Sequence, residues 1–305
     1  MTDNAPRTID EYLRQLREAL ANQDPALIQD ALYDSEEYLR AEVAAHPDKS
    51  EPDVLELIAS TYGAPEEVAA AYRDTEIKVA AALRPPVKAQ PRSLLGRFFG
   101  IFTDVRAYAG LLFMLFSLAT GILYFTVTVV GTSLSLGLAV LIIGIPFFIA
   151  FIGITRVLAL VECRLVEAVS GVRMPRRPPH PGAKQKFLAR MVSMLADART
   201  WTTLAYDVLM MPLGILYFVL AVTGLSISLG LIAAPIGYVV GLMGGFESHL
   251  HIGDGLNLEP TWLNSPGGLL LCFLVGVLCL TLTLHVSRAI TRGHAVLAKS
   301  MLVLP

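Results

Sequence analysis

A chain of 305 residues, 54% hydrophobic and only 16% charged, with a mean hydropathy of +0.58, carries too little charge for an ordinary soluble protein, where roughly a quarter is usual. Residues 1–92 hold 10 Lys/Arg against 18 Asp/Glu, net −8, and residues 93–305 hold 14 against 8, net +6. The split predicts an acidic soluble part followed by a membrane part with basic flanks, and three scattered cysteines exclude a disulfide framework or a Cys-type metal site.

The first residues, Met1-Thr-Asp-Asn-Ala-Pro, offer neither a basic region nor an apolar core, so no cleaved signal peptide is expected. Thr8-Ile-Asp-Glu11 has the form of a capping box, followed by Tyr12, Leu13, Leu16 and Leu20 at helical spacing. Asp24-Pro25 opens a second helix through Leu27, Ala31, Leu32 and Leu39. Ser50-Glu-Pro-Asp53 opens a third, which Gly63 stops, and Pro65-Glu66-Glu67 starts a fourth with acids at the positive end of its dipole. A small all-α bundle over residues 1–83 results.

Tyr12-Leu-x-x-Leu16, Asp34-x-Glu36-x-Tyr38 and Gly63-Ala-Pro-Glu-Glu-Val-Ala69 together resemble the HAAS domain, a helical signalling module, over roughly residues 8–76. Ala64 departs from the Gly-Asp-Pro form more common there. The resemblance implies a cytoplasmic domain associated with PadR-like transcription factors. For such a partner the candidate contacts are Asp34, Glu37, Tyr38, Gly63, Pro65 and Glu66. Read from the residues alone, the acid run Asp30, Asp34, Glu36, Glu37 is a solvated helix face before it is a binding face or metal site.

Arg84 to Arg92 holds three prolines and reads as a semi-extended linker over 84–92. Leu94, Leu95, Phe98, Phe99 and Phe102 with Arg97 and Arg106 suit a helix on the membrane surface. Ala107 to Val130 is uncharged and long enough for a span, Gly131 to Ser135 reads as a turn, and Leu136 to Thr155 returns, with Pro146 expected to kink it.

Gly121-Ile-Leu-Tyr-Phe125 then recurs letter for letter as Gly214 to Phe218, at an offset of 93. Between Leu95 and Gly144 the offset gives 19 identities in 50 positions, including Asp104 with Asp197 and Arg106 with Arg199. Apolar bias cannot match aspartate, arginine and glycine in register, so an internal duplication is expected: repeat one over 93–184 and repeat two over 185–305. Each pentapeptide should mark the middle of an outward-going span.

Residues 156–199 carry nine Lys/Arg against Glu162, Glu167 and Asp197, which marks the cytoplasmic side and contact with anionic lipid headgroups rather than nucleic acid. Residues 244–266 have three acids and no Lys or Arg, whereas Arg288, Arg292 and Lys299 follow the last apolar run. Four spans with both termini cytoplasmic satisfy this pattern, with 225–243 a re-entrant or interfacial segment; five spans are the alternative. The arrangement resembles the "putative sensor" membrane domain of actinobacterial signalling proteins over residues 94–300, resting on the repeated Gly-Ile-Leu-Tyr-Phe and the Arg-terminated return spans. That resemblance implies a sensor in a bacterial cytoplasmic membrane.

Two features could carry chemistry. Glu247, His249, His251 and Asp254 form the one cluster of metal-type or pH-sensing side chains, for which a solvated polar loop is the plainer reading. Asp207 stands about two turns inside the third span, where an ionisable group costs at least ~2 kcal/mol unless paired or hydrated. No nucleophile elbow, zinc-protease motif or phosphate loop occurs. The expectation is a non-enzymatic sensor with no metal or cofactor. It would couple a membrane or envelope stimulus to a cytoplasmic regulator, with a homo-oligomer open; the alternative is a small transporter or channel-like protein.

Overall fold

Caps and apolar spacing build the N-terminal domain. The computed structural model describes residues 5–82, 93–138, 144–177, 187–244 and 265–303. α1 (Ile9–Ala19) starts where the Thr8 hydroxyl accepts the Glu11 N–H at 3.2 Å, and the Glu11 carboxylate accepts the Arg7 N–H at 3.0 Å. Asp24 caps α2 (Pro25–Ala45) by accepting the Ala26 N–H at 2.9 Å. α3 (Glu51–Thr61) ends at Tyr62, and Gly63 turns the chain at φ +112°, a backbone position that favours glycine. α4 (Pro65–Ala82) follows. Tyr12, Leu16, Leu39, Leu55 and Ile58 are fully buried between the four helices, and the Tyr12 hydroxyl donates to the Gly63 carbonyl at 2.8 Å.

The regular structure of the membrane part is helical, and its described residues contain no strand. α5 (Leu94–Phe99) and a 3₁₀ turn (Gly100–Thr103) lead into α6 (Val105–Gly137). α7 (Gly144–Ser170), α8 (Phe187–Ala196), α9 (Ala198–Met243) and α10 (Pro266–Leu302) complete the chain. The longest four, α6, α7, α9 and α10, are long and apolar enough to cross a membrane. Large apolar side chains such as Leu112, Phe116, Leu216 and Val240 stand exposed along them, as a lipid environment requires of a membrane protein.

Local bonds repeat at the offset of 93. Asp104 accepts the Arg106 N–H at 3.1 Å at the start of α6, and Asp197 accepts the Arg199 N–H at 3.0 Å at the start of α9. The Tyr108 hydroxyl donates to the Phe102 carbonyl at 3.1 Å, and the Trp201 indole donates to the Leu195 carbonyl at 2.8 Å. Ser135 donates to the Gly131 carbonyl at 2.7 Å, and Ser228 to the Gly224 carbonyl at 2.6 Å.

Three expectations are corrected. The turn at Gly131 to Ser135 lies inside α6, and the separate segment over 225–243 is the continuation of α9. Both stretches are apolar, so backbone groups have no partner better than the helical ladder, which persists through Pro212 and Pro235. α9, at 46 residues, is about 69 Å long at 1.5 Å per residue. Pro146 does not kink a span; it sits in the first turn of α7, where its missing N–H costs nothing.

The chain packs as two compact units: residues 1–89, 130–206 and 295–305 in one, and 90–129 with 207–294 in the other. In the second unit, Gly121 meets Met210, Gly214 meets Ser117, and Thr128 meets Asp207. Numbers rise along α6 as they fall along α9, so these helices run antiparallel there, where the duplication was expected to give two helices of one direction. α10 runs with α6, through Ala107–Ser287 and Phe113–His294, and against α9, through Tyr217–His294 and Gly224–Thr283. The cause is a close crossing of small residues. A Cβ on Gly121 or Gly214 would fall well inside contact distance of the facing carbonyl oxygen, of Met210 or Ser117 respectively.

Candidate functional site

In the first unit the acidic face of α2 holds the segment that leaves α7. α7 stops at Gly171, whose φ of +72° gives a left-handed end, while the Ser170 hydroxyl accepts the Val172 N–H at 3.0 Å. Val172 to Arg177 is not helical, so its N–H groups need partners outside the segment.

Asp30 supplies them. Its Oδ1 accepts the N–H of Arg176 at 2.6 Å and of Arg177 at 2.8 Å, and its Oδ2 accepts from Arg173 Nη2 at 3.0 Å. Arg173 Nη1 also donates to Glu76 of α4 at 2.7 Å. Gln29 Nε2 donates to the Arg177 carbonyl at 2.6 Å, Arg177 Nε lies 2.8 Å from Asp34, and its guanidinium stands 5.7 Å above the Tyr33 ring. Met174 is fully buried beneath this layer. On α10, Lys299 pairs with Asp24 at 2.6 Å. Desolvation pushes the Asp30 carboxyl above the usual aspartate range, opposed by the two backbone N–H bonds and by Arg173.

We call this arrangement the clasp. A cleft of about 360 Å³ opens beside it, walled by Tyr72, Glu76, Arg164 and Arg176. Charge-assisted bonds are worth roughly 1.5–3 kcal/mol each, but removing two charges from water offsets much of that. Such a contact is specific in register and modest in net strength, which suits a joint that opens.

The other candidate residues are placed as follows. Asp34 belongs to the clasp and Glu36 is buried, so the solvated-face reading of the acid run is corrected for Asp30, Asp34 and Glu36, whereas Glu37 is exposed. Buried Glu36 pairs with Arg40 at 2.7 Å. Tyr38 stacks on Tyr62 at 4.3 Å, Gly63 is the turn, Pro65 is buried at the start of α4, and Glu66 is exposed. Asp207 is buried in the second unit and accepts from the Thr128 hydroxyl at 3.0 Å. Glu247, His249, His251 and Asp254 lie outside the described residues, as does the 84–92 linker. Among the described residues no three His, Cys, Asp or Glu side chains form a metal-type group.

Sequence reasoning missed Arg173, Arg176 and Arg177 as partners of the acidic domain. The signal was present in the opposed charges of the two regions, net −8 and net +6. It also missed His294, buried between the rings of Phe113 and Tyr217 at 5.0 and 5.6 Å, with the Tyr217 hydroxyl 3.4 Å from Nδ1.

No curated protein and no solved structure matches the chain. The model of the family described as "Putative sensor" matches residues 113–302, which is more than half of the chain and includes the basic half of the clasp, and the chain belongs to that family.

Proposed function

We propose that this sensor-family protein works in a bacterial cytoplasmic membrane by holding its N-terminal helical domain in the clasp and releasing it in response to a membrane or envelope stimulus. The observation that carries the reading is Asp30, one carboxylate that takes two backbone N–H groups and Arg173 from the segment after α7. A carboxylate so engaged ties the domain to the membrane part by a route independent of the chain linker. The same contact favours a common, cytoplasmic side for residues 1–83 and the basic segment, in line with the positive-inside pattern.

The released domain would capture a cytoplasmic regulator, of the PadR-like class if the HAAS resemblance extends to partners. No nucleic-acid contact, catalytic step or cofactor is part of this reading. The recurring bonds at Asp104 and Asp197, and at Tyr108 and Trp201, support descent of the membrane part from a duplicated unit.

The test uses full-length protein in nanodiscs and the rate of tryptic cleavage after Arg173, Arg176 and Arg177. Asp30→Asn should raise that rate at least tenfold and increase recovery of a regulator in membrane pull-downs. Unchanged cleavage would sink the clasp as a joint; raised cleavage with unchanged recovery would sink its role in output. A transporter reading would draw on the duplicated unit, the Gly/Pro-containing stretch 225–243 and Asp207, and only Asp207 could carry a charge-coupled step. A carboxylate already bonded to Thr128 suits helix positioning, so Asp207→Asn should leave ion flux in proteoliposomes at background.

A further inference from the structure

The segment after α7 lies in the clasp as a peptide lies in a binding groove. Pro175 has no N–H and disfavours helix at Met174, and residues 173–177 are not helical. Asp30 Oδ1 takes the next two N–H groups, and Gln29 Nε2 donates to the Arg177 carbonyl. Those three bonds reach main-chain atoms and hold any residue alike. Selection falls to the side chains: Arg173 reaches Asp30 and Glu76, Met174 and Pro175 are buried, and Arg177 stands over the Tyr33 ring.

This resident segment fills the groove incompletely. Gln29 Oε1, Asp34 Oδ1 and Arg173 Nε are buried without a hydrogen bond among the described residues, although Asp34 Oδ1 lies 2.8 Å from Arg177 Nε. Buried polar atoms left so weaken a contact, and a segment whose donors met Gln29 and Asp34 would bind the same face more tightly. The cleft of about 360 Å³ beside the segment leaves Tyr72, Thr75 and Glu76 of α4 partly open. A competitor can therefore engage the acidic side before the resident segment has left.

We infer that this face of α2 and α4 is a docking groove for an extended, arginine-bearing segment of a partner protein, for which residues 173–177 are an internal stand-in. The pattern it reads is arginine, an apolar residue, two residues of any kind, then arginine, with free N–H groups at the last two positions. Charge disfavours lipid headgroups and nucleic acid, because Asp30, Asp34 and Glu76 line the groove and residues 1–92 are net −8. A carboxylate that takes consecutive main-chain N–H groups selects a peptide. A second copy of this chain would bring the same five side chains and leave the same three atoms unmet. The groove depends on the clasp reading for its release, and it gives the regulator a place to dock and a sequence to present.

The probe is a fluorescein-labelled peptide amide of residues 171–177, added to full-length protein in phosphatidylcholine nanodiscs. Arg173→Gln with Arg177→Gln opens the groove and leaves its acidic wall intact. That variant should bind the peptide saturably and roughly tenfold more tightly than wild type, where a groove filled about nine-tenths of the time lowers the apparent affinity by that factor. Methylating the peptide nitrogens that correspond to Arg176 and Arg177, or scrambling the peptide, should weaken binding roughly tenfold. Asp30→Asn in the opened variant should do the same.

No saturable binding by the opened variant or by Met174→Asp, each at wild-type helix content, overturns the groove. So does equal binding of parent, scrambled and methylated peptides, which is charge attraction alone. On unaltered protein, saturating peptide should speed hydrogen exchange at the Arg176 and Arg177 amides by displacing them, and unchanged exchange also overturns it. Wild type binding as tightly as the opened variant keeps the groove and removes the stand-in. That result counts against the closed clasp, whereas failed binding with slow tryptic cleavage of wild type counts against the groove alone.

Discussion

The clasp and the α6–α9 crossing are two joints built on opposite physics. In the clasp, Asp30, Asp34 and Glu76 meet Arg173 and Arg177 across a surface that water and salt can reach, since Arg177 is half exposed. At the crossing, Gly121 and Gly214 let one backbone lie on another, and the Ser117 hydroxyl, bonded to the Met114 carbonyl at 2.6 Å, reaches 3.5 Å from the Gly214 carbonyl. Charge contacts soften with pH and ionic strength, whereas steric fit does not. A sensor needs one joint that holds and one that yields, and the two are separable by substitution.

The largest effect should come from the crossing. Gly121→Val or Gly214→Val forces a side chain into the facing backbone, and about 3 kcal/mol of destabilisation is expected, read as a lowered unfolding midpoint in detergent. A neutral result would mean that the helices do not cross there. Next is Asp30→Ala, which strands Arg173 and two N–H groups. About 2 kcal/mol of clasp strength should go, seen as faster hydrogen exchange at the amides of Arg176 and Arg177.

Asp34→Asn removes a half-exposed pair with Arg177 and should cost no more than about 1 kcal/mol. Salt should widen the contrast: raising NaCl from 0.05 to 0.5 M, roughly a threefold shorter screening length, should accelerate tryptic cleavage at the clasp and leave the Gly121 crossing's contribution unchanged.

The smallest effect is on pH dependence. Burial raises the Asp30 carboxyl above its ordinary value, so the folded chain binds that proton more tightly than the unfolded chain does. Its contribution to stability is therefore fullest below the ordinary aspartate range, falls as pH rises through the raised value, and is flat above it. Asp30→Asn should delete that falling component from a plot of unfolding midpoint against pH. An identical slope in both proteins would show that Asp30 is not desolvated.

Much of the architecture was legible because it is local. Thr8, Asp24 and the Gly63-Ala-Pro65 turn announce helix ends through their own backbone chemistry, and uncharged runs of the length of Ala107 to Val130 announce membrane helices. Asp104 and Asp197, matched in the sequence at the offset of 93, each accept the N–H two residues on at the starts of α6 and α9, a role the spacing alone did not assign. The central basic run was read as a lipid contact because an arginine beside a span looks the same whether it faces headgroups or an aspartate.

By itself, then, the amino-acid order determined an all-α chain with an acidic helical head and long apolar helices, because periodicity, caps and net charge act within a few residues. Tertiary structure alone decided that residues 225–243 extend α9, that α6 and α9 run antiparallel in their unit, and that Asp30 grips the segment after α7. The last two depend on which surfaces meet across some 80 to 150 residues of sequence, as in Thr128–Asp207 and Asp30–Arg176. Spacing along the chain holds no record of such meetings until the chain has packed.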